Sequence, residues 1–222
     1  MKTVAIIPAF NEERTIAQVI RSVLSEVDEI IVVDDGSMDG TVPQAQQERV
    51  VVVSHPVNCG LGAALATGMA VAADRGADVA VTFDADGQLY PEDIRVMLKP
   101  LEQGMVDVVI GSRFLTTTSS VPVLRRCYNS IGNLLTGILF GIWTSDSQSG
   151  IRGFNHAALE AIHLRCSRME VSSQFFREIS KHQLRWSEVP IRVRYTAYSL
   201  SKGQSFTRGI STAFRLALRR YF

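Results

Sequence analysis

The strand-like run Val79-Ala80-Val81-Thr82-Phe83 ends on Asp84-Ala85-Asp86-Gly87-Gln88. A strand that delivers two carboxylates and an amide oxygen into a loop, spaced i, i+2 and i+4, offers the hard oxygen donors that Mg2+ or Mn2+ takes, and such a cation bridges naturally to a diphosphate. The same five residues also fit a plain strand-to-helix turn capped by Asp86, so the reading depends on what the rest of the chain places beside them.

The elements that would position this loop follow a regular alternation. Residues 4–9 read as a strand and 12–24 as a helix with Ile16, Val19, Ile20 and Val23 on one face; 29–34 reads as a strand apolar on both faces. A turn at 36–40 leads into a polar helix at 41–47, a strand at 50–54, a helix at 63–73, the strand 79–83, a helix at 91–101 opening on Pro91, and a strand at 107–110. This predicts a three-layer α/β unit with a mostly parallel central sheet, whose ligands gather beyond the carboxyl ends of the strands. Five loops then converge there: 8–12, 34–37, 55–62, 84–88 and 111–113. The string Asn58 to Gly62 lacks the third glycine of a dinucleotide fingerprint and reads as a tight turn ahead of a closely packed helix.

Composition bounds the remainder. A chain of 222 residues, 46% hydrophobic and 20% charged, can bury one sizeable core. Its net charge of +1 conceals an asymmetry: residues 1–110 hold 7 Lys and Arg against 17 Asp and Glu, a net of −10, whereas 111–222 hold 16 against 5, a net of +11. An acidic, cation-friendly half thus faces a basic half suited to phosphates or an anionic surface. Cys59, Cys127 and Cys166 show no CxxC spacing, and His55, His156, His163 and His182 no HxxxH spacing, so neither a zinc site nor a disulfide framework is expected. No secretory leader is expected, and a reducing cytoplasm fits best. The uncharged stretch 128–145 is too rich in Asn, Ser, Thr and Gly to span a bilayer and is expected to pack in the protein or lie at an interface. Met169 to Phe176 reads as core or groove filler. In 206–222, Phe206, Ile210, Phe214 and Leu218 recur every four residues beside Arg208, Arg215, Arg219 and Arg220, a basic amphipathic helix that suits either an anionic membrane surface or the domain itself.

In order along the chain stand Pro8-Ala9-Phe10-Asn11-Glu12, Val32-Val33-Asp34-Asp35-Gly36-Ser37 with Asp39-Gly40-Thr41, Asn58-x-Gly60-x-Gly62, Asp84-Ala85-Asp86-Gly87-Gln88 and Gly111-Ser112-Arg113-Phe114. Arg125-Arg126, Asp146-Ser147-Gln148-Ser149-Gly150-Ile151-Arg152-Gly153-Phe154, Glu188-Val189-Pro190-Ile191 and Ser201-Lys202 follow. Over nearly its whole length the chain resembles the family 2 glycosyltransferases of GT-A fold, and within them the dolichol-phosphate mannose and polyprenyl-phosphate sugar synthase group.

That resemblance implies an inverting, metal-dependent transfer from a GDP- or UDP-linked sugar donor to a polyprenyl phosphate at the cytoplasmic face of a membrane. It places Asp84, Asp86 and Gln88 on Mg2+ or Mn2+, with Asp84 shared with the nucleotide ribose. Glu12 and Asp35 suit the base and ribose, with Pro8, Phe10 and Asn11 shaping that pocket. Arg113, Arg126 and Lys202 match positions of phosphate contacts, and Arg152 joins the substrate-binding set with Asp146 orienting it or the acceptor loop. Asp84, Asp86, Arg113 and Arg126 are the residues expected to carry the chemistry. A phosphate oxygen is already nucleophilic and needs no strong general base. The expected organisation is a single domain, 1–222, with a nucleotide-sugar and metal half at 1–114, an acceptor half at 115–205 and the helix 206–222. Two other readings stay open: transfer to a hydroxyl of a polysaccharide or other soluble acceptor, and a nucleotide-sugar-binding protein without catalysis. No nucleic-acid partner is expected, and a homo-oligomer stays open.

Overall fold

An almost unbroken apolar run along the first strand supplies side chains to both faces of a sheet, so both can be covered. Val4 and Ile6 pack on one side and Ala5, Ile7 and Ala9 on the other, all buried. The computed structural model describes residues 1–116, 123–165 and 171–194; the expectations placed on Cys166, Met169, Lys202 and 206–222 lie outside the described residues. The elements run β1 (Thr3–Ala9), α1 (Ile16–Val23), β2 (Glu29–Asp34), α2 (Thr41–Gln46), β3 (Val51–Ser54), α3 (Leu61–Asp74) and β4 (Val79–Thr82). They continue with α4 (Asp93–Glu102), β5 (Val108–Ser112), α5 (Val123–Phe140), β6 (Arg152–Asn155), α6 (His156–Ala161), α7 (Val171–Lys181) and β7 (Trp186–Pro190).

The strands form one seven-stranded sheet in the order β3-β2-β1-β4-β6-β5-β7. All pairings are parallel except those of β6, which runs antiparallel to both β4 and β5. One apolar cluster joins the sheet to α1 and α4, and the other joins it to α3, α6 and α7, giving the three layers that the alternation predicts. Helix α3 approaches unusually closely at Gly68, where an added Cβ would run into Ile6 and Val33. Phe175 and Phe176 of α7 are fully buried, as expected of filler.

The structure departs from the expected elements at α1 and beyond the fifth strand. Helix α1 starts at Ile16 and not at residue 12, because Asn11 adopts a left-handed φ of 53° and the Glu12 carbonyl accepts from Thr15 and Ile16 in a separate turn. Strands β7 and β6 both lie beyond the expected alternation, which ends at the fifth strand, and β6 is the antiparallel one. Its reversed direction is consequential, because its leading residue Arg152 lies at the end of the sheet where β4 and β5 finish. The segment before β6 therefore reaches the same edge as the loops after β1, β2, β4 and β5.

At the opposite edge, Asp107 joins three strands. Its carboxylate accepts from the Arg185 backbone N–H (2.9 Å) and guanidinium (2.8 and 3.1 Å) and from Asn155 Nδ2 (2.9 Å). These bonds, led by Arg185, lower its pKa from the ordinary 3.8 to about 2. Arg185 stands largely in water, so screening reduces the contribution, and replacing Asp107 by Asn is expected to cost about 1 kcal/mol at neutral pH. The folded pKa is the lower one, so the stabilisation is complete above pH 3.8 and is lost as pH falls toward about 2. Urea midpoints of the two proteins should converge over that interval; a constant gap would refute the assignment.

Candidate functional site

Past β4, Phe83 still bonds to Ile6, and the chain then turns out of the sheet, carrying Asp84 and Asp86. Asp84 is half-buried, with protein atoms packed densely about its carboxyl. Burial, then the charge of Asp86, pushes it up from 3.8 to about 6, against the pull of Arg113 and Arg152 and with a further push from Glu12. These five groups come from four segments of chain and share one electrostatic environment. Asp84 fits there only because residue 150 is a glycine, since a Cβ at Gly150 would run into the Asp84 carboxylate. Thr82 fixes that approach: its hydroxyl donates to the Gly150 carbonyl (2.8 Å) and accepts from the Arg152 N–H (2.9 Å). Asp86 folds back on its own turn, accepting from the backbone N–H (2.9 Å) and Nε2 (2.7 Å) of Gln88. It is thus the amide nitrogen of Gln88 that meets Asp86 in this arrangement, with Gly87 at a φ of 73° closing the turn.

The loops after β1 and β2 lock together. Asn11 Oδ1 accepts from Met38 N–H (2.9 Å), and its own N–H donates to Ser37 (2.8 Å); Glu12 N–H donates to Thr41 (2.7 Å). The Glu12 side chain is buried and accepts from Thr15 (3.1 Å). Pro8 is half-buried at the end of β1, and Phe10 stands exposed at the rim. Asp35 is buried and heavily used. It accepts from His55 Nδ1 (2.9 Å), Cys59 N–H (2.9 Å) and Gly60 N–H (2.7 Å), which fills three of its roughly four lone-pair positions. Asp35, His55 and Cys59 bring carboxylate, imidazole and thiol atoms within 4.8 Å of one another, a gathering their spacing in sequence did not announce.

The basic side of the crevice is organised by Asp146, which is fully buried. It holds Arg113 by a two-pronged ion pair (Nε–Oδ2 and Nη2–Oδ1, both 2.7 Å) and accepts also from the Arg113 N–H (3.1 Å) and Asn129 Nδ2 (2.7 Å). Asp146 was expected to orient Arg152 or the acceptor loop; its fork instead closes on Arg113, because β5 ends directly against the segment that precedes β6. Arg152, expected among the substrate contacts, lies behind them. It is 2% exposed, its guanidinium sits 4.7 Å from the Phe175 ring centroid, and its Nε has no hydrogen-bond partner. Burial lowers its pKa to about 10 against the field of Asp146 and Asp84, which leaves it charged at neutral pH. Arg126 is exposed near the start of α5, and Lys202 lies outside the described residues. Glu188 of β7 was noted only as part of a string. Its carboxylate takes bonds from the Thr144 and Ser145 hydroxyls and the Ser145 N–H, fastening the 144–150 segment to the sheet.

With this geometry in view, comparison with known proteins is informative. The family model described as glycosyl transferase family 2 matches residues 4–162. A UDP-N-acetylglucosamine–dolichyl-phosphate N-acetylglucosaminyltransferase of Methanococcus voltae is 35% identical, over 96% of this chain and 94% of that protein. A polyprenol monophosphomannose synthase of Mycolicibacterium smegmatis is 33% identical, over 73% of this chain and 65% of its own length. Among solved structures, the glucosyl-3-phosphoglycerate synthase of Mycobacterium tuberculosis, in complex with Mn2+, uridine diphosphate and glucosyl-3-phosphoglycerate, superposes with a TM-score of 0.72 at 22% identity. The match spans 96% of this chain and 76% of that one, and it establishes the GT-A fold.

Asp146 offers a direct test of how the site is held. Changing it to Asn keeps the shape but leaves Arg113 and the buried Arg152 without their shared counter-charge, a loss expected to cost about 3 kcal/mol in urea unfolding. A destabilisation under about 1 kcal/mol, the range of an exposed pair, would show that the fork does not hold the segment.

Proposed function

Since the chain belongs to glycosyl transferase family 2 and is a glycosyltransferase, we propose that it transfers one sugar from a GDP- or UDP-linked donor to a polyprenyl phosphate, with inversion at the anomeric carbon. The observation that carries this reading is the convergence of Asp84, Asp86 and Glu12 with Arg113 at one end of the sheet. Support for the acceptor comes from the relatives, whose names specify dolichyl phosphate and polyprenol monophosphomannose.

In the proposed reaction an oxygen of the acceptor phosphate attacks the anomeric carbon from the face opposite the nucleoside diphosphate, which leaves with the bonding pair. One displacement inverts the centre. The residues fit a divalent cation: Asp84, whose pKa burial and Asp86 push up to about 6, is a carboxyl that a hard cation would return to its ionised form, and Gly150 keeps the space it needs. Asp84 and Asp86 would hold Mg2+ or Mn2+, which when bound would supply charge neutralisation for the departing phosphate. Gln88 holds Asp86 in place through its amide nitrogen. Arg113, fixed by Asp146, adds a guanidinium where negative charge develops. Glu12, Asp35 and Asn11, with Pro8 and Phe10 at the rim, form the nucleotide side, and Arg126 with Lys202 grips the acceptor phosphate. Arg152 acts from behind by its field on Asp84. The site works at the cytoplasmic face of the membrane.

Three variants test the reading. Asp86→Ala should abolish transfer with the thermal unfolding transition retained, and full activity in EDTA would remove the cation from the mechanism. Gly150→Ala should displace the Asp84 carboxylate and weaken Mn2+-dependent nucleotide binding by tenfold or more in calorimetry, with little change in the cation-free protein. Arg126→Ala should raise the KM for polyprenyl phosphate about tenfold, the loss of roughly 1.4 kcal/mol of charge-assisted hydrogen bonding, while donor affinity holds. A wild-type enzyme that ignores lipid phosphate and glycosylates a sugar hydroxyl would overturn the acceptor.

A further inference from the structure

Helix α5 turns Asn129, Asn133 and Thr136 toward the protein, with Phe140 packed on the core at its end, and is largely apolar on its solvent-facing side. Asn129 is buried and donates to Asp146 (2.7 Å); Asn133 donates to the Ser145 carbonyl (2.6 Å) and accepts from the Ser147 N–H (2.8 Å); Thr136 is buried and bonds within the helix. On the outer face Ile131, Leu134 and Ile138 are 55%, 52% and 60% exposed, with Tyr128 one turn before them and Trp143, 66% exposed, just past the helix end. The spacing of three and four residues aligns them in one stripe about 15 Å long. A surface helix of a soluble protein has the opposite arrangement, its apolar stripe toward the core. Here the inner face carries the hydrogen bonds that hold Asp146 and the segment after it, which leaves the apolar stripe facing outward.

We infer that this stripe seats the protein on an anionic lipid surface, with α5 lying along the interface and the crevice opening toward the headgroups. The occupant follows from charge and residue type. Helix α5 contains no acidic residue, Arg126 is exposed at its leading end, and residues 111–222 carry a net charge of +11, so an anionic surface is matched. A second copy packed face to face on the same stripe would bring two such basic halves together. Trp143 and Tyr128 suit the boundary between headgroup and hydrocarbon. No helix among the described residues is long and apolar enough to cross a membrane, and a 15 Å stripe is the size for lying in one leaflet. The Trp143 ring also lies over the backbone at Gly137 so closely that a Cβ there would clash. The inference rests on the acceptor proposed above for its purpose: α5 holds Asp146, Asp146 holds Arg113, and a lipid-borne phosphate would arrive beside them.

The chain has two tryptophans, Trp143 and Trp186, so the full-length Trp186→Phe protein reports on Trp143 alone. Mixed with vesicles of phosphatidylcholine and phosphatidylglycerol, its emission should shift to the blue and be quenched by lipids brominated near the headgroup end of the acyl chain. Vesicles of phosphatidylcholine alone should bind more weakly. Replacing Ile131, Leu134 and Ile138 together by Ser should reduce vesicle co-sedimentation about tenfold or more. Transfer to a short-chain polyprenyl phosphate in detergent should persist in that variant. The inference is overturned if the triple variant sediments like the wild type, or if the protein binds vesicles while Trp143 emission stays unchanged. A wild-type dimer that the triple variant converts to monomer would assign the stripe to a second copy instead. Vesicle binding through Trp143 without any transfer to polyprenyl phosphate would leave the lipid surface standing and remove the proposed acceptor.

Discussion

The buried carboxylate of Asp146 is the point on which the crevice depends. A fully desolvated anion is tolerable only when its lone pairs are filled and its charge is met, and here two guanidinium prongs, a backbone N–H and an amide from α5 do both. Because these donors come from the end of β5 and from α5, while Asp146 itself lies on the segment entering β6, one side chain sets the relative position of three pieces of chain. Its field also reaches Arg152 and, through it, the neighbourhood of Asp84. The acidic and basic halves of the sequence are therefore interlocked at a single buried anion.

Asp84 is the complementary case. Its carboxyl is confined, close to Asp86 and Glu12, and its proton affinity is raised because the surroundings disfavour one more negative charge. A carboxyl so disfavoured contributes nothing to stability, which agrees with the cation-binding role proposed for it. Gly150 and Thr82 belong to the same arrangement, the glycine by leaving room and the threonine by fixing the distance between β4 and β6.

Much of this was legible in the residues, and the parts that were not share a cause. The first five strands follow from local apolar patterns, and the loops at their ends carry the acids and Arg113 at recognisable intervals. Strand β6 escaped because only four residues long, two of them Arg152 and Gly153, it has no pattern of its own and exists by pairing between β4 and β5. The helix at Glu12 was read too early, since a left-handed Asn11 interrupts a sequence that is otherwise acceptable as helix. Asp146 and Asp35 illustrate the general limit. The partners of Asp146 lie 17 and 33 residues away and those of Asp35 20 or more, and no spacing rule foretells a hydrogen bond made by chain reversal. The polarity of α5 was visible as an uncharged stretch, but which side its asparagines face is fixed only by Asp146 and Ser145.

The strand order has a bearing on how the chain assembles. Strands β1 to β4 pair among themselves, so the sheet β3-β2-β1-β4 is complete once residue 82 has been made. Strand β5 is different: both of its neighbours, β6 and β7, lie downstream, 40 and more residues later in the chain. During synthesis an apolar strand therefore waits with two open edges until residues 152–155 and 186–190 arrive. The acidic half can form early as a folding unit, whereas the basic half closes late and through long-range contacts, which makes it the slow step of folding and the stage most exposed to aggregation.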